Sequence, residues 1–562
     1  MSRALIAALM VSALAAAPAR ADFRDSCERR DAHEICTAVV ESFDGTALDT
    51  TLTLPANARR GERLPLVVFL HGFLSDKNEY ISETPRGHDY KTTRFNNVWF
   101  ASRGYAVLNY SARGHGESSG RIGLASKELE VGDTHHLTGL LVDDGTVMRK
   151  RVGAIGGSYG GGQTWLLATV RGEGARRYGS WRSPEGRVVR LAAAVPQFTW
   201  TDLLFSLVPN GLDGEPTPLG VPKITLLDGF VASINTKMTE EVLRWLTRMN
   251  LGEPYDGDAV VEEAKAALTE DRSAYYQDGF FRALRRKRQR SIPILAAQGW
   301  TDPIFPAVEA VRMYRRLRSV RRRYPIQLYF GDFEHLTSQV KIPDMRYYHR
   351  LATRMFDRYL RGKRRRWRRF DVRSAPTLCE PDAFGPVLRA GTWRRLQPDQ
   401  LELELTGTRL TGSPVMDPRG AATDHVVVGL QRRGCITTEL PETPGVATWR
   451  VPVERDFTLI GMPRLELTYG ATGLDIQLNS RLWDVAPDGT QTLVTRGAYR
   501  VVAPEPGEQT AAYDLYGNHW RLEKGHELLL EVTGDDSSFF RRDNYPSTIQ
   551  VNNVKLTLPG EG

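Results

Sequence analysis

The chain has 562 residues, 75 of them Lys or Arg against 67 Asp or Glu. That length suits roughly two to four domains, each able to bury a core. Charged residues at 25% and aromatics at 9% exclude wholesale disorder. No second long apolar run follows the N-terminus, which excludes a multi-span membrane protein, and a net charge of +8 spread over so many acids points away from a nucleic-acid partner.

Residues 1–21 read as an export signal. Arg3 supplies the positive end, Ala4 to Ala17 the apolar stretch, and Ala19-Arg20-Ala21 the small-x-small cleavage site. The stretch is shorter than the ~20 residues a membrane span needs, and no Cys directly follows the cut. The mature chain is expected in the periplasm or outside the cell, where disulfides are permitted. Cys27, Cys36, Cys379 and Cys435 allow three pairings; near with near and far with far is the simplest. A metal site is the weaker reading, because Cys27 and Cys36 are too widely spaced for a zinc knuckle and His33 stands alone between them.

Leu64 to Gly72 is a short, almost continuously apolar run ended by glycine, as in a strand buried on both faces. Residues 105–110, 152–155, 191–195, 292–297 and 326–330 repeat the pattern, with helix-like stretches such as 128–150 and 305–319 between them. Residues 22–375 therefore predict an α/β domain. Residues 198–290 break the rhythm and predict an inserted helical cap, with amphipathic pieces at Glu240 to Met249 and Asp258 to Leu268 and a turn-rich linker at Pro209 to Pro222. Basic runs at Arg285 to Arg290, Arg321 to Arg323 and Lys363 to Arg369 read as solvated helix ends or linkers, with a polyanion patch as the alternative. From 376 to 562 short β-type segments dominate. Ile476, Leu478 and Leu482 alternate with Asp475, Gln477 and Arg481, and a Pro-Asp-Gly turn follows at 487–489. This predicts a β-sandwich.

The strongest chemical signal is Gly156-Gly157-Ser158-Tyr159-Gly160, set directly after one predicted strand and before a segment able to form a helix. Such a turn needs small residues beside the serine and presents the hydroxyl above the sheet as a nucleophile. The Tyr159 N–H then lies at a helix N-terminus, where it can donate to an oxyanion. A serine nucleophile needs a base and an orienting acid, in the order Ser, acid, His for this kind of fold. Asp302 and His335 each lie just past a predicted strand end; Asp332 is the competing acid. A second backbone donor is expected from His71-Gly72-Phe73, at the Phe73 N–H. His71 itself reads as a structural loop residue, and Arg113 as locally paired. His135 and His136 are adjacent and cannot jointly hold one metal on a helix. Trp200, Phe205 and Leu207 fit either an acyl pocket or the packing of the cap. No P-loop is present, and no cofactor is implied.

Val68-Phe69-Leu70-His71-Gly72, Arg103-Gly104-Tyr105, Arg113-Gly114-His115-Gly116, Gly156 to Gly160, Gly299-Trp300-Thr301-Asp302 and His335 occur in an order that resembles the X-Pro dipeptidyl-peptidase and cocaine-esterase-like (CocE/NonD) serine hydrolases. The C-terminal region, with Ser537-Ser538-Phe539-Phe540, resembles that family's jelly roll. The resemblance implies an α/β-hydrolase fold with a helical cap, followed by an all-β jelly roll. It also implies Ser158, Asp302 and His335 as the triad, with Tyr159 as a backbone donor. Three features depart from the family, one being that the loop before His335 reads Gly331-Asp332-Phe333 where the family usually has Gly-Pro-Trp. The first oxyanion loop lacks the usual Pro-Tyr pair, leaving Tyr80 as a distant phenolic candidate. No motif marks the acids that grip a free α-amino group, for which Asp202 and Glu215 are the candidates in the cap. The expected activity is hydrolysis of a small ester, amide or peptide through an acyl-enzyme. The alternatives are an Xaa-Pro dipeptidyl-peptidase proper and, in another class, a non-catalytic carbohydrate- or surface-binding protein.

Overall fold

The chain enters through three antiparallel strands, β1 (Ser26–Arg30), β2 (His33–Glu41) and β3 (Ala47–Pro55). The structure is a computed structural model that describes residues 23–562 except 60, 90, 212–218, 334, 336–339, 364–370 and 425–433. The expected signal segment, Glu215 and Arg364 to Arg369 lie outside the described residues.

The apolar runs become β4 (Leu64–Leu70), β5 (Ala106–Tyr110), β6 (Val147–Gly157), β8 (Val188–Gln197), β9 (Ile294–Gly299) and β10 (Ile326–Gly331), with β7 (Ser180–Arg182) paired to β8. Together with β11 (Asp371–Ser374) and β12 (Leu388–Ala390) they form one sheet in the order β1-β2-β3-β5-β4-β6-β8-β9-β10-β11-β12. From β5 to β11 neighbours run parallel. All seven positions of β4 are buried, as a strand covered on both faces requires. Helices α1 (Asn97–Ala101), α2 (Glu130–Asp143) and α3 (Tyr159–Thr169) follow β4, β5 and β6. The helix expected over 128–150 is α2 alone. It stops because Asp144 Oδ1 accepts from the Thr146 N–H in a turn, and β6 begins at Val147.

Between β8 and β9, among the described residues, lie helices α4 (Leu203–Leu207), α5 (Ile224–Ile234), α6 (Glu240–Asn250), α7 (Ala259–Ala266) and α8 (Asp278–Arg285). Thr239 and Asp258 cap α6 and α7 by accepting from N–H groups of their first turns. Trp200 and Leu207 are buried in this layer; the Trp200 indole donates to the Arg272 carbonyl and packs on Phe305. Phe205 is covered by the Arg312 guanidinium. These three side chains therefore pack the cap. Two further helices complete the layers on the sheet, α9 (Val308–Val320) and α10 (Ile342–Tyr359).

The C-terminal region is two facing antiparallel sheets with a two-stranded one, Asp475–Gln477 paired to Arg500–Val502, beside them. One is built on the long strand Ser547–Glu561, paired with Arg464–Thr472 and Asp399–Leu405. The other places Asn479–Val485 between Gln491–Gly497 and Glu527–Thr533. Leu467, Leu482, Leu530 and Leu556 meet in the core between them. The polar set of the alternating segment is also buried, where a half-solvated strand would expose it. Arg481 has no exposed side-chain surface and pairs with Asp417, Glu531 and Asp536 at 2.5, 2.7 and 3.1 Å. Asp475 pairs with Arg500, which also donates to the Leu219 carbonyl. The reason is that this face is covered by protein, including the cap residues Asn210 and Leu219, which bond Arg500, and Lys223.

Lys223 bridges to Phe540 through its main chain, donates to the Ile304 carbonyl at 2.8 Å and lies over the Tyr516 ring. Burial pushes its amine down to about 7, against the opposing pull of Asp302 and Glu309. The unfolded chain holds that proton until about 10.4, so between these values the unfolded state binds more protons. Wild-type stability relative to Lys223→Met should therefore rise with pH from about 7 to about 10. Melting temperatures of both proteins at pH 6.5 and 9.5 check this; a wild-type melting temperature that falls relative to that of Lys223→Met at the higher pH refutes it.

The cysteines pair as Cys27–Cys36, across the β1–β2 register, and Cys379–Cys435. The bridged residues are 9 and 56 apart. Chain entropy assigns about 2.5 kcal/mol to the short loop and about 4 kcal/mol to the long one. Urea midpoints of Cys379→Ser/Cys435→Ser should thus fall further than those of Cys27→Ser/Cys36→Ser. The opposite ranking would show that the long bridge adds little.

Candidate active site

After β4 the chain turns to β5 on one side, and then crosses to β6 on the other. Such a reversal opens a crevice at the carboxyl ends of the strands. β6 ends at Gly157, α3 begins at Tyr159, and Ser158 between them is held at φ 53° and ψ −116°. A side chain rarely adopts this backbone unless its surroundings enforce it. Here they do. A Cβ on Gly160 would lie 2.1 Å from the Leu70 carbonyl oxygen, and one on Gly156 2.4 Å from the Gly160 carbonyl carbon. Only glycines let the turn press this closely onto the end of β4. The Ser158 N–H donates to the Gln197 carbonyl at 3.1 Å, and its own carbonyl accepts from the Thr199 hydroxyl at 2.6 Å. The Tyr159 N–H is the first of α3, one of those a helix leaves without an internal acceptor. The Tyr159 phenol points inward, donating to Glu130 Oε1 at 2.8 Å and accepting from the Ala125 N–H.

Asp302 follows β9. Its Oδ1 accepts from the N–H groups of Ile304 and Phe305 at 2.9 and 3.1 Å, and its Oδ2 lies 2.7 Å from His335 Nδ1. The turn thus fixes the carboxylate that faces the imidazole. His335 follows β10, and its ring is held edge-on by Phe198 and Phe305 at 5.4 and 5.1 Å. Nε2 has no hydrogen-bond partner among the described residues. Asp332 is spent elsewhere: it pairs with Lys341 at 2.5 Å and accepts from the Leu378 N–H at 2.9 Å, and burial raises its pKa.

Ser158, His335, Gly72 and Phe73 line one cavity of about 120 Å³. Phe198, Phe333, Val340 and Met345 supply its apolar wall; Glu79 and Lys91 form a polar end. Glu79 accepts from the Gly72 N–H at 2.7 Å and from Lys91 Nζ at 2.9 Å.

Other sequence candidates fall outside the cavity. His71 accepts from the Ala112 N–H through Nε2, so its Nδ1–H donates to the Gly72 carbonyl, a structural role. Tyr80 is buried below the cavity, its hydroxyl accepting from Gln197 Nε2. It is not among the residues that line the cavity with Ser158, and its ring packs on Phe69. Asp202 caps α4 and pairs with Tyr276 and Arg312, so it is not open to a substrate amine. Arg113 pairs locally, with Asp133 and Asp44. His135 stacks on Trp181, while His136 faces Phe43. Three residues have no counterpart in the sequence reading: the Glu79–Lys91 pair and Phe198, at φ 33°. None carries a periodic or motif signal. Only the strand end at Gln197 marks where Phe198 falls.

Residues 44–177 match the family model of the X-Pro dipeptidyl-peptidase (S15 family), and residues 390–559 that of the X-Pro dipeptidyl-peptidase C-terminal non-catalytic domain. No curated protein matches in sequence. Among solved structures, an aminopeptidase from the marine sediment archaeon Thaumarchaeota archaeon is similar over 100% of this chain and 99% of its own, with 15% identity and a TM-score of 0.62. A CocE/NonD family hydrolase from Staphylococcus aureus is similar over 94% of each chain, with 14% identity and a TM-score of 0.61. An alpha-amino acid ester hydrolase is similar over 99% of this chain and 100% of its own, with 15% identity and a TM-score of 0.63. At these identities the likeness carries the fold: an α/β-hydrolase-like domain followed by an all-β domain. With both family models matched in order on that fold, the chain belongs to the X-Pro dipeptidyl-peptidase (S15) family of serine hydrolases.

Proposed function

We propose that the protein is an exported hydrolase that cleaves a small ester or amide through Ser158, His335 and Asp302. The observation that carries the reading is the strained serine at the β6–α3 turn, opening on one cavity with an imidazole whose far nitrogen is hydrogen-bonded to a buried carboxylate. Ser158 Oγ attacks the carbonyl carbon while His335 Nε2 takes the hydroxyl proton. The oxyanion is stabilised by the N–H groups of Tyr159 and Phe73. His335 returns the proton to the departing alcohol or amine, leaving the acyl group on Ser158. Water then attacks the acyl-enzyme with His335 as base, releasing acid and free serine. Asp302 holds Nδ1–H and stabilises the imidazolium.

Export is supported by residues 1–21 and by the two disulfides. Among described residues no helix is long and apolar enough to cross a membrane. The polar end of the cavity favours an ester or simple amide over an Xaa-Pro dipeptide. Recognition of a free α-amino group needs an unspent carboxylate, and Glu79, the one acid lining the cavity among the described residues, is engaged by Lys91 and the Gly72 N–H. A short acyl ester and a chromogenic Xaa-Pro amide, assayed side by side, separate the two. Faster turnover of the Xaa-Pro amide would make the protein a dipeptidyl-peptidase.

Ser158→Ala should lower kcat by roughly 10⁶, with residual rate from the oxyanion donors. It should also abolish labelling by a fluorophosphonate. A wild-type rate would remove Ser158 from the reaction, and a folded wild type that resists labelling would return the protein to the binding class.

Asp302→Asn should cost about 10⁴ in kcat by leaving the imidazole in the wrong tautomer. Asp332→Asn should change kcat little while lowering the melting temperature, since it leaves Lys341 buried without its carboxylate. The reverse ranking in folded variants would assign the acid to Asp332.

A further inference from the structure

A second and larger cavity, of about 860 Å³, lies between α10 and the segment 86–103. Arg86, Arg94, Arg103, Arg346, Arg350 and Arg354 line it, with Lys363 at its edge. Asp357 is the one carboxylate in the lining, and it is already occupied: it accepts from the Tyr105 hydroxyl at 3.0 Å and lies 3.3 Å from Lys363. His349 adds no charge, because burial pushes its pKa down to about 3. Seven cations thus face one spent acid in a chain whose whole formal charge is +8. The buried arginines Arg113, Arg481 and Arg500, by contrast, each meet carboxylates. Here Arg86, Arg94, Arg346, Arg350 and Arg354 have no carboxylate within ion-pair distance among the described residues.

The placement works against local stability. Arg346, Arg350 and Arg354 repeat every four residues along α10, so like charges stack on one helix stripe about 6 Å apart. Arg94 sits at φ 51°, and its N–H donates to the Arg86 carbonyl, which fastens these two residues together at the opposite wall. Arg103 is held flat over the Trp99 ring at 3.7 Å. A concave floor of guanidinium groups, each with a planar fork for two oxygens, matches phosphate chemistry.

We propose that this groove is a binding site for an anion carrying several phosphate groups, separate from the Ser158 cavity. The same chemistry is offered by a soluble polyphosphate and by clustered phospholipid headgroups. Tripolyphosphate should bind the mature protein measurably at low ionic strength and weaken on raising salt from 50 to 200 mM (chosen conditions). Arg346→Gln/Arg350→Gln/Arg354→Gln should weaken binding at least ~10-fold, and Arg350→Gln alone by a few-fold. These exposed positions keep the fold intact, and ester hydrolysis should stay at the wild-type rate because none lines the Ser158 cavity. Arg285→Gln/Arg286→Gln/Arg288→Gln removes equal charge elsewhere and should leave binding unchanged. Co-sedimentation with phosphatidylglycerol vesicles, but not phosphatidylcholine ones, lost in the groove variant, would identify the source as lipid; tripolyphosphate binding without vesicle binding would identify it as soluble. The proposal is overturned if the wild type binds neither probe, or if the control variant loses as much affinity as the groove variant. Loss of the hydrolase reading would leave these titrations unaffected, since they read binding alone.

Discussion

The contact between the β6–α3 turn and the end of β4 governs the rest of the site. With 2.1 Å from a Gly160 Cβ to the Leu70 oxygen, no side chain fits there, and the turn has one seat. That seat sets Ser158 at a backbone angle it would not hold alone, and brings the start of α3 beside Gly72 and Phe73. The strain, of order 1–3 kcal/mol, is offset by the bonds that tie the Ser158 main chain to Gln197 and Thr199. A methyl group at 160 would displace Ser158 and the start of α3 together, because this one contact locates both.

Much of this was legible in the chain. The strand runs, the serine turn, the cap helices at 240 and 258 and the cysteine pairing follow from short-range patterns: continuous apolarity, small residues around a serine, caps, and the simplest loop closure. β1 to β3 were not anticipated, because their threonines and acids blur the apolar signal and their burial comes from the sheet they extend. The helix over 128–150 was drawn too long for a related reason. Its last residues, Arg149 and Lys150, suit an exposed helix as well as the exposed start of β6.

Period-two alternation shows which side chains share a face, and is silent on what covers it. Asp475, Gln477 and Arg481 look like a solvated face, yet each is buried. A buried ion pair adds little net stability, since desolvation consumes most of the attraction. Breaking one is costly, however, so the Arg481 cluster constrains register. A slip of one residue along 479–485 would turn Arg481 into the leucine core and leave Asp417, Glu531 and Asp536 without their cation. The same limit hid the Glu79–Lys91 pair and Asp202. Nothing local distinguishes a carboxylate open to substrate from one already engaged by a neighbour.

The all-β region is part of the scaffold around Asp302 and His335. On the Asp302 side, the Lys223 main chain bridges to Phe540 while its ammonium lies over Tyr516 and donates to the Ile304 carbonyl, and the Ile304 N–H donates to Asp302. On the His335 side, Asp332 and Lys341 bracket the loop, and both bond the main chain of Leu378, one residue before the Cys379–Cys435 bridge. Trp300 donates to Ser374, whose hydroxyl meets His519 of the second region. The two loops that present the carboxylate and the imidazole are therefore each held from outside the α/β sheet. A 2.7 Å contact between groups from two separate strand ends depends on how each end is positioned, and such bracing helps fix both. In physical terms the second region helps keep the Asp302–His335 hydrogen bond in register.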